Sequence, residues 1–103
     1  MNLKEFVTVT GITNMRAQII CVDGFKMSVQ GSRGHYCSPR EDVDDFTAME
    51  IGFPSLKEDL IMEYAEQKES PTQTVYGWVP CSVIQQVIKK HGGIDIGETF
   101  KKK

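Results

Sequence analysis

The chain has 103 residues, of which 40% are hydrophobic and 25% charged, and its formal net charge at pH 7 is −2. This length is typical of one domain, and this much hydrophobic content with so small a net charge excludes intrinsic disorder. No apolar run approaches the length of a membrane span and no export signal begins the sequence. We therefore expect a cytoplasmic protein whose three cysteines stay reduced.

The N-terminal third predicts a β-hairpin that follows an ambiguous segment. Residues 3–10 fit a helix by the spacing of their apolar residues and a strand by their β-branched alternation, so both readings stay open. Residues 15–32 contain two alternating runs with Asp23 and Gly24 between them. This dipeptide is typical of a type I′ turn, in which both central residues have positive φ, and it predicts a hairpin.

A long loop and a strand follow the hairpin. Residues 31–45 contain two glycines, a proline and several serine and aspartate residues without periodicity. Loops of this length are often functional or mobile. Residues 46–53 predict a strand with Met49, Ile51 and Phe53 on one face.

Residues 55–67 predict an amphipathic helix. Ser55 and Glu58 have the spacing of a capping box, in which the serine side chain begins a helix. Apolar residues at helical spacing, among them Leu56 and Leu60, form one face. Acidic residues form the opposite face, which we expect to be exposed. They are Glu58, Asp59, Glu63, Glu66 and Glu69.

Residues 74–79 predict another strand, which contains the single tryptophan of the chain. Because successive side chains in a strand alternate, Val75 and Val79 should lie on one face and Tyr76 and Trp78 on the other. If the helices cover the valine face, the two aromatic residues form an exposed pair of the kind that anchors protein partners. In the opposite arrangement Trp78 lies in the core and the valines face outward, or the N-terminal segment covers the aromatic residues, and these readings stay open.

A second amphipathic helix begins at Pro80 and stops before Gly92, and residues 94–103 form a tail that we expect to fray. The order of elements predicts an α+β fold in a single domain over residues 1–93. Its core would be an antiparallel sheet of about four strands with two amphipathic helices packed on one face.

Charge is distributed unevenly along the chain. Residues 41–70 hold ten acidic residues against two lysines, a local charge of −8, whereas the segments on either side carry +3 each. A concentrated negative field bears on partners and association rates rather than on fold. It predicts a partner with a basic surface.

Candidate catalytic and metal-binding residues are few. Cys21, His35, Cys37, Cys81 and His91 could supply zinc ligands, but their spacing is not that of a zinc finger or ribbon, and we predict no metal site. Cys37 has basic neighbours that could lower the pKa of its thiol, so a small thiol enzyme is an alternative. No phosphate-binding, dinucleotide-binding or metalloprotease motif occurs in the sequence, and we predict no cofactor and no enzymatic activity.

A further functional class is a binding module for nucleic acid or a nucleotide-like ligand. Its side chains would be suited to phosphate contacts and base stacking. They are Arg33, His35, Tyr36, Arg40 and Trp78. The acidic block opposes this alternative, because affinity for nucleic acid depends on neutralising its phosphates.

Four segments resemble small proteins carried on phages and mobile elements of Gram-positive bacteria. They are His-Tyr-Cys-Ser-Pro-Arg at 35–40, Ala-Met-Glu-Ile-Gly-Phe-Pro-Ser at 48–55, Thr-Val-Tyr-Gly-Trp-Val-Pro at 74–80 and Val-Ile-Lys-Lys-His-Gly-Gly-Ile at 87–94. The resemblance implies an accessory protein in a bacterial host cell that is directed against a host system. Small phage proteins of this size and acidity include anti-CRISPR proteins.

The leading hypothesis is a non-enzymatic interaction protein that binds and inhibits a host protein. Its acidic surface would occupy a basic nucleic-acid-binding groove, such as the channel of an RNA-guided nuclease. An exposed strand edge could also pair two copies into a homodimer. The predicted partner-binding residues are Asp42, Asp44, Asp45, Glu58, Asp59, Glu63, Glu66, Tyr76 and Trp78.

Overall fold

Four antiparallel strands and three short α-helices make up the protein in a computed structural model that describes residues 1–101. The strands form one sheet in the order β1-β2-β3-β4. The predicted α+β class is therefore confirmed. The elements in chain order are α1 (Leu3–Thr10), β1 (Ile19–Ile20), β2 (Lys26–Gln30), β3 (Ala48–Gly52), a 3₁₀ helix (Asp59–Tyr64), β4 (Val75–Pro80), α2 (Cys81–Lys90) and α3 (Ile96–Thr99).

One hydrophobic core lies between the sheet and the helices α1 and α2. Met49 and Ile51 of β3 are fully buried in it, as the alternating pattern predicts. From α2 the core receives Ile84, Val87 and Ile88, which lie along the apolar stripe of that helix. None of the helices in the described part of the chain is long and apolar enough to cross a membrane.

The ambiguous N-terminal segment is a helix, and two reciprocal hydrogen bonds between Asn2 and Glu5 cap its N-terminus. The Asn2 side chain accepts a hydrogen bond from the Glu5 N–H at 2.8 Å, and the Glu5 carboxylate accepts one from the Asn2 N–H at 3.0 Å. This capping box satisfies two N–H groups that otherwise lack helical partners. Gly11, with φ of 71°, ends the helix.

The predicted hairpin is confirmed, but its turn is of another type. The Gly24 N–H donates to the Cys21 carbonyl, the Cys21 N–H donates to the Phe25 carbonyl, and of the loop residues only Gly24 has positive φ, at 94°. A three-residue loop with a single left-handed glycine is a type I turn followed by a bulge, not the predicted type I′ turn.

The helix predicted over residues 55–67 is wrong in its type and in its start. Ser55 does not cap it, because its hydroxyl and its N–H are both bonded to Lys26 of β2. Helical structure begins instead at Asp59 as a 3₁₀ helix, capped by the Glu58 side chain on the Leu60 N–H at 2.9 Å. Leu56, predicted to face the core, is 64% exposed.

A bulge in β4 overturns the predicted alternation of that strand. Met49 pairs with Val79 and Ile51 pairs with Tyr76, so two residues of β4 lie opposite one residue of β3. The extra residue turns Tyr76 and Val79 to the same buried face and leaves Trp78 outside, 49% exposed. The prediction of an exposed pair of Tyr76 and Trp78 is therefore wrong, because Tyr76 belongs to the core.

Both outer strands of the sheet are met by other segments of the chain. Beside β1, Ile20 exchanges hydrogen bonds with the hydroxyl of Thr99, and Cys21 forms a bridge with Ile94. Beside β4, Ala65 forms a bridge with Tyr76. Pairing of a second copy along these edges, the predicted route to a homodimer, would have to displace these contacts.

The C-terminal segment is ordered where the sequence predicts a frayed tail. Ile94 is 7% exposed, α3 follows it, and the ring of Phe100 lies 5.9 Å from that of Phe6. The apolar residues Ile94 and Phe100 find partners on distant parts of the chain, which the local sequence does not reveal. The prediction for residues 102–103 falls outside the described residues.

Candidate functional site

An exposed pair of stacked aromatic rings stands out on the surface. The rings of Tyr36 and Trp78 have centroids 5.0 Å apart and an interplanar angle of 21°. The backbone N–H of Trp78, which lies in the bulge, donates to the backbone carbonyl of Tyr36 at 2.9 Å. We call this pair the aromatic platform. The two residues are 38% and 49% exposed.

The backbone around the platform is arranged to hold it outward. Trp78 has φ of 49°, a conformation that costs a non-glycine residue free energy. Gly77 lies beneath the neighbouring ring, and a Cβ atom there would be 3.3 Å from the Cβ of Tyr36. The Glu50 carboxylate accepts a hydrogen bond from the Tyr36 N–H at 3.1 Å. Strain of this kind concentrates at functional sites.

A groove of about 390 Å³ adjoins the platform. Three aromatic residues and one acidic residue are among those that line it. Its lining residues are Tyr36, Tyr64, Glu66, Val75, Gly77 and Trp78. We call it the aromatic groove. The position of Glu66 is held by its N–H, which donates to the Val75 carbonyl at 3.0 Å.

The predicted acidic residues do not form one surface. Asp42 pairs with Arg33 at 3.3 Å. Asp44 and Asp45 line a different groove of about 300 Å³ beside α1 and α2. Asp59, Glu63 and Glu66 are exposed around the 3₁₀ helix, and of these only Glu66 lines the aromatic groove.

Glu58 is buried, so its predicted place on an exposed acidic face is wrong. It is 1% exposed and accepts hydrogen bonds from Leu60, Lys90 and His91. The other ring nitrogen of His91 bonds to Asp23 at 2.6 Å. A carboxylate held by three donors inside the protein is not free to meet a partner. Its role is to join the 3₁₀ helix to the end of α2.

Cys37, the candidate thiol nucleophile, lies in the interior of the protein. Cys37 is 1% exposed, and burial raises the pKa of its thiol, with a smaller opposing effect from its hydrogen bond to Ser32. This is the reverse of what an activated nucleophile needs. His35 bonds to the Ser32 hydroxyl at 2.7 Å. Within residues 1–101 no three histidine, cysteine, aspartate or glutamate side chains form a group that could hold a metal ion.

The structure brings together part of the residue set of the nucleic-acid alternative. The Arg40 guanidinium lies 5.3 Å from the ring centroid of Tyr36, which itself stacks on Trp78. Arg33, however, is engaged by Asp42. Glu50 and Glu66 also approach the platform and the groove, and their negative charge opposes a phosphate backbone.

Sequence reasoning missed Gly77 and Tyr64 as parts of the site. A signal for the first was present, since a glycine inside a strand pattern often marks a bulge. No local signal places Tyr64 beside Trp78, because the two residues meet only when the segment after the 3₁₀ helix runs along β4.

Comparison of the chain with protein-family models, with curated proteins and with solved structures finds no significant match.

Proposed function

We propose that the protein is an interaction domain that binds another protein through the aromatic platform. The observation that carries the proposal is Trp78 itself. Its indole is half exposed, is set outward by a bulge, and is braced by Tyr36. Tryptophan and tyrosine bury a large area at little cost in conformational entropy and dominate the binding energy of many interfaces.

The charges around the platform support a partner with a basic surface. Glu66 lines the adjoining groove, and Asp59 and Glu63 are exposed on the nearby 3₁₀ helix. Complementary charge at the rim of an interface raises the association rate and excludes partners of like charge. Asp44 and Asp45, which are exposed in the long loop, would add to this steering at longer range.

Capture from a lysate of the encoding organism tests the proposal. The wild-type protein is compared with Trp78→Ala and with Leu56→Ala, a control that removes a side chain 64% exposed elsewhere on the surface. We expect at least one protein to be captured by the wild type and the control and lost with Trp78→Ala, since such anchors contribute about 2 kcal/mol or more. Capture that is the same for all three variants contradicts the proposal.

Nuclease treatment of the lysate separates this proposal from the nucleic-acid alternative. The contact of Arg40 with the stacked rings favours that alternative, because bases stack on such platforms. If treatment with nucleases abolishes every Trp78-dependent capture, nucleic acid is the ligand. If the captured protein persists, the platform binds protein.

The finer form of the proposal is inhibition of an RNA-guided nuclease in the cytoplasm of a bacterial host by a protein of phage or mobile-element origin. The exposed acidic residues would then bind in the basic channel of the nuclease. Reversal of Asp59, Glu63 and Glu66 to lysine should relieve inhibition of DNA cleavage, and Glu58 is left unchanged because it is buried. Undiminished inhibition by the triple variant contradicts this form.

A further inference from the structure

The aromatic groove combines ring faces with one negative charge. Its aromatic lining residues are Tyr36, Tyr64 and Trp78, and its acidic lining residue is Glu66, whose side chain is exposed. Aromatic faces carry negative potential and attract cations, tryptophan most strongly. Rings and carboxylate therefore favour the same class of ligand group, a side chain that is apolar along its length and positively charged at its tip.

The carboxylate of this groove is available to a ligand. Glu66 is exposed, and within residues 1–101 no lysine, arginine or histidine forms a salt bridge with it. Its backbone is held beside β4 by the hydrogen bond to Val75 and by the bridge between Ala65 and Tyr76. The side chain is thus anchored at its base and free at its tip.

The molecule contains its own example of the contact. Arg40 places its guanidinium 5.3 Å from the centroid of the Tyr36 ring. Arg40 is not among the residues that line the groove, whose walls include Trp78 and Glu66. A guanidinium is planar, stacks on aromatic faces and pairs with a carboxylate through two parallel N–H groups, which a lysine ammonium cannot do.

We infer that the aromatic groove binds an arginine side chain of the partner protein, with its guanidinium on the Trp78 indole and paired with Glu66. The inference rests on the proposed function, because it names the group of the partner that the site recognises. In this inference Glu66 selects a positively charged ligand, and Trp78 provides most of the contact area.

The single tryptophan of the chain makes the groove directly observable. Three capped pentapeptides, each with four glycines around a central arginine, citrulline or lysine, are titrated into the full chain while the Trp78 indole N–H resonance is followed by NMR. Citrulline keeps the shape of arginine without its charge. We expect a saturable shift with the arginine peptide and an affinity at least about fivefold lower for citrulline and for lysine.

A matched pair of variants tests the carboxylate. Glu66→Gln should reduce the affinity for the arginine peptide at least about fivefold, whereas Glu69→Gln, an exposed acid three residues away, should leave it unchanged. Absence of a saturable shift with the arginine peptide, equal binding of arginine and citrulline, or equal binding by Glu66→Gln and the wild type would each overturn the inference.

The outcomes separate this inference from the proposed function. Trp78-dependent capture of a protein that also binds Glu66→Gln, together with no preference for the arginine peptide, supports the proposed interaction domain and contradicts the binding of arginine. A clear preference for the arginine peptide without any Trp78-dependent capture contradicts the proposed protein partner and supports the binding of arginine in the groove.

Discussion

At the scale of single residues, Glu58 shows how a side chain changes role when it is buried. Its carboxylate bonds to Leu60, Lys90 and His91, and the His91 ring also bonds to Asp23. Removing one member of such a buried pair leaves an uncompensated charge, which is far costlier than losing an exposed pair. A substitution of Glu58 would therefore report on stability and not on partner binding.

The same contacts set the pH dependence of this cluster. Burial opposes the charged form of His91, but hydrogen bonds to Glu58 and Asp23 outweigh it and raise the His91 pKa above its ordinary 6.5. Burial likewise opposes ionised Glu58, but bonds from Leu60, His91 and Lys90 outweigh it and lower the Glu58 pKa below its ordinary 4.5. The contribution of His91 is thus complete below pH 6.5, and that of Glu58 is complete above pH 4.5.

We predict that the cluster stabilises the fold most between these two values. As pH rises through the folded-state pKa of His91, its contribution is lost, because the unfolded chain has already released that proton. Urea unfolding at about pH 5.5 and about pH 8.5 should show a larger loss of unfolding free energy for the wild type than for His91→Gln. An equal loss in both proteins contradicts the prediction.

At the scale of elements, two strands are altered by single residues in left-handed conformation. Trp78, in the bulge of β4, has φ of 49°, and Phe53, which follows β3, has φ of 47°. Phe53 is 56% exposed, although alternation predicted it on the buried face of Met49 and Ile51. In both places an aromatic side chain is turned to the surface at the expense of backbone strain.

Glycine at position 53 should relieve the strain there. A left-handed conformation costs an L-residue about 1–2 kcal/mol, which glycine avoids, although glycine also gains freedom in the unfolded chain. We expect Phe53→Gly to be more stable than Phe53→Ala by about 1 kcal/mol, as measured by chemical denaturation. The alanine variant is the control because both lose the ring. Greater stability of Phe53→Ala would show that the backbone at this position is not strained.

At the scale of the whole molecule, the fold is closed by its C-terminal segment. Residues 93–100 run along β1, where Ile94 bridges Cys21 and Thr99 bonds to Ile20, and Phe100 packs on the core. The segment pairs polar groups of β1 that a two-residue strand would otherwise leave open to solvent. It therefore protects the sheet edge that would invite association with another chain.

A truncation measures this contribution. Removing residues 94–103 should lower the free energy of unfolding by about 3 kcal/mol or more, since it exposes apolar surface of the core and leaves the polar groups of β1 without partners. Removing only residues 101–103 is the control and should change stability by less than about 0.5 kcal/mol. Similar stability of the two truncated proteins in thermal and urea unfolding would contradict the role given to this segment.

Prediction from the sequence succeeded where the signal is local. The hairpin at Gly24 and the helix between Pro80 and Gly92 depend on glycine, proline and apolar spacing within one element, and both form. The candidate site could be predicted only in part. The sequence pointed to Trp78 as a candidate binding residue but left its exposure open. Its partner in the stack is Tyr36 and not Tyr76, because one extra residue in β4 reverses the alternation.

The sequence by itself determined the fold class, from the order of its elements along the chain. It also determined the β1–β2 hairpin and α2, because these two rest on contacts between residues close in the chain. Only the tertiary structure decided the contacts of Ser55 and Glu58, the packing of the C-terminal segment and the exposure of Trp78. Ser55 meets β2 across 29 residues, Glu58 meets His91 across 33, and Thr99 meets β1 across 79. Partners so distant satisfy polar groups that local patterns assign to a helix cap, a solvated face or a free tail, and tertiary contacts override such local preferences.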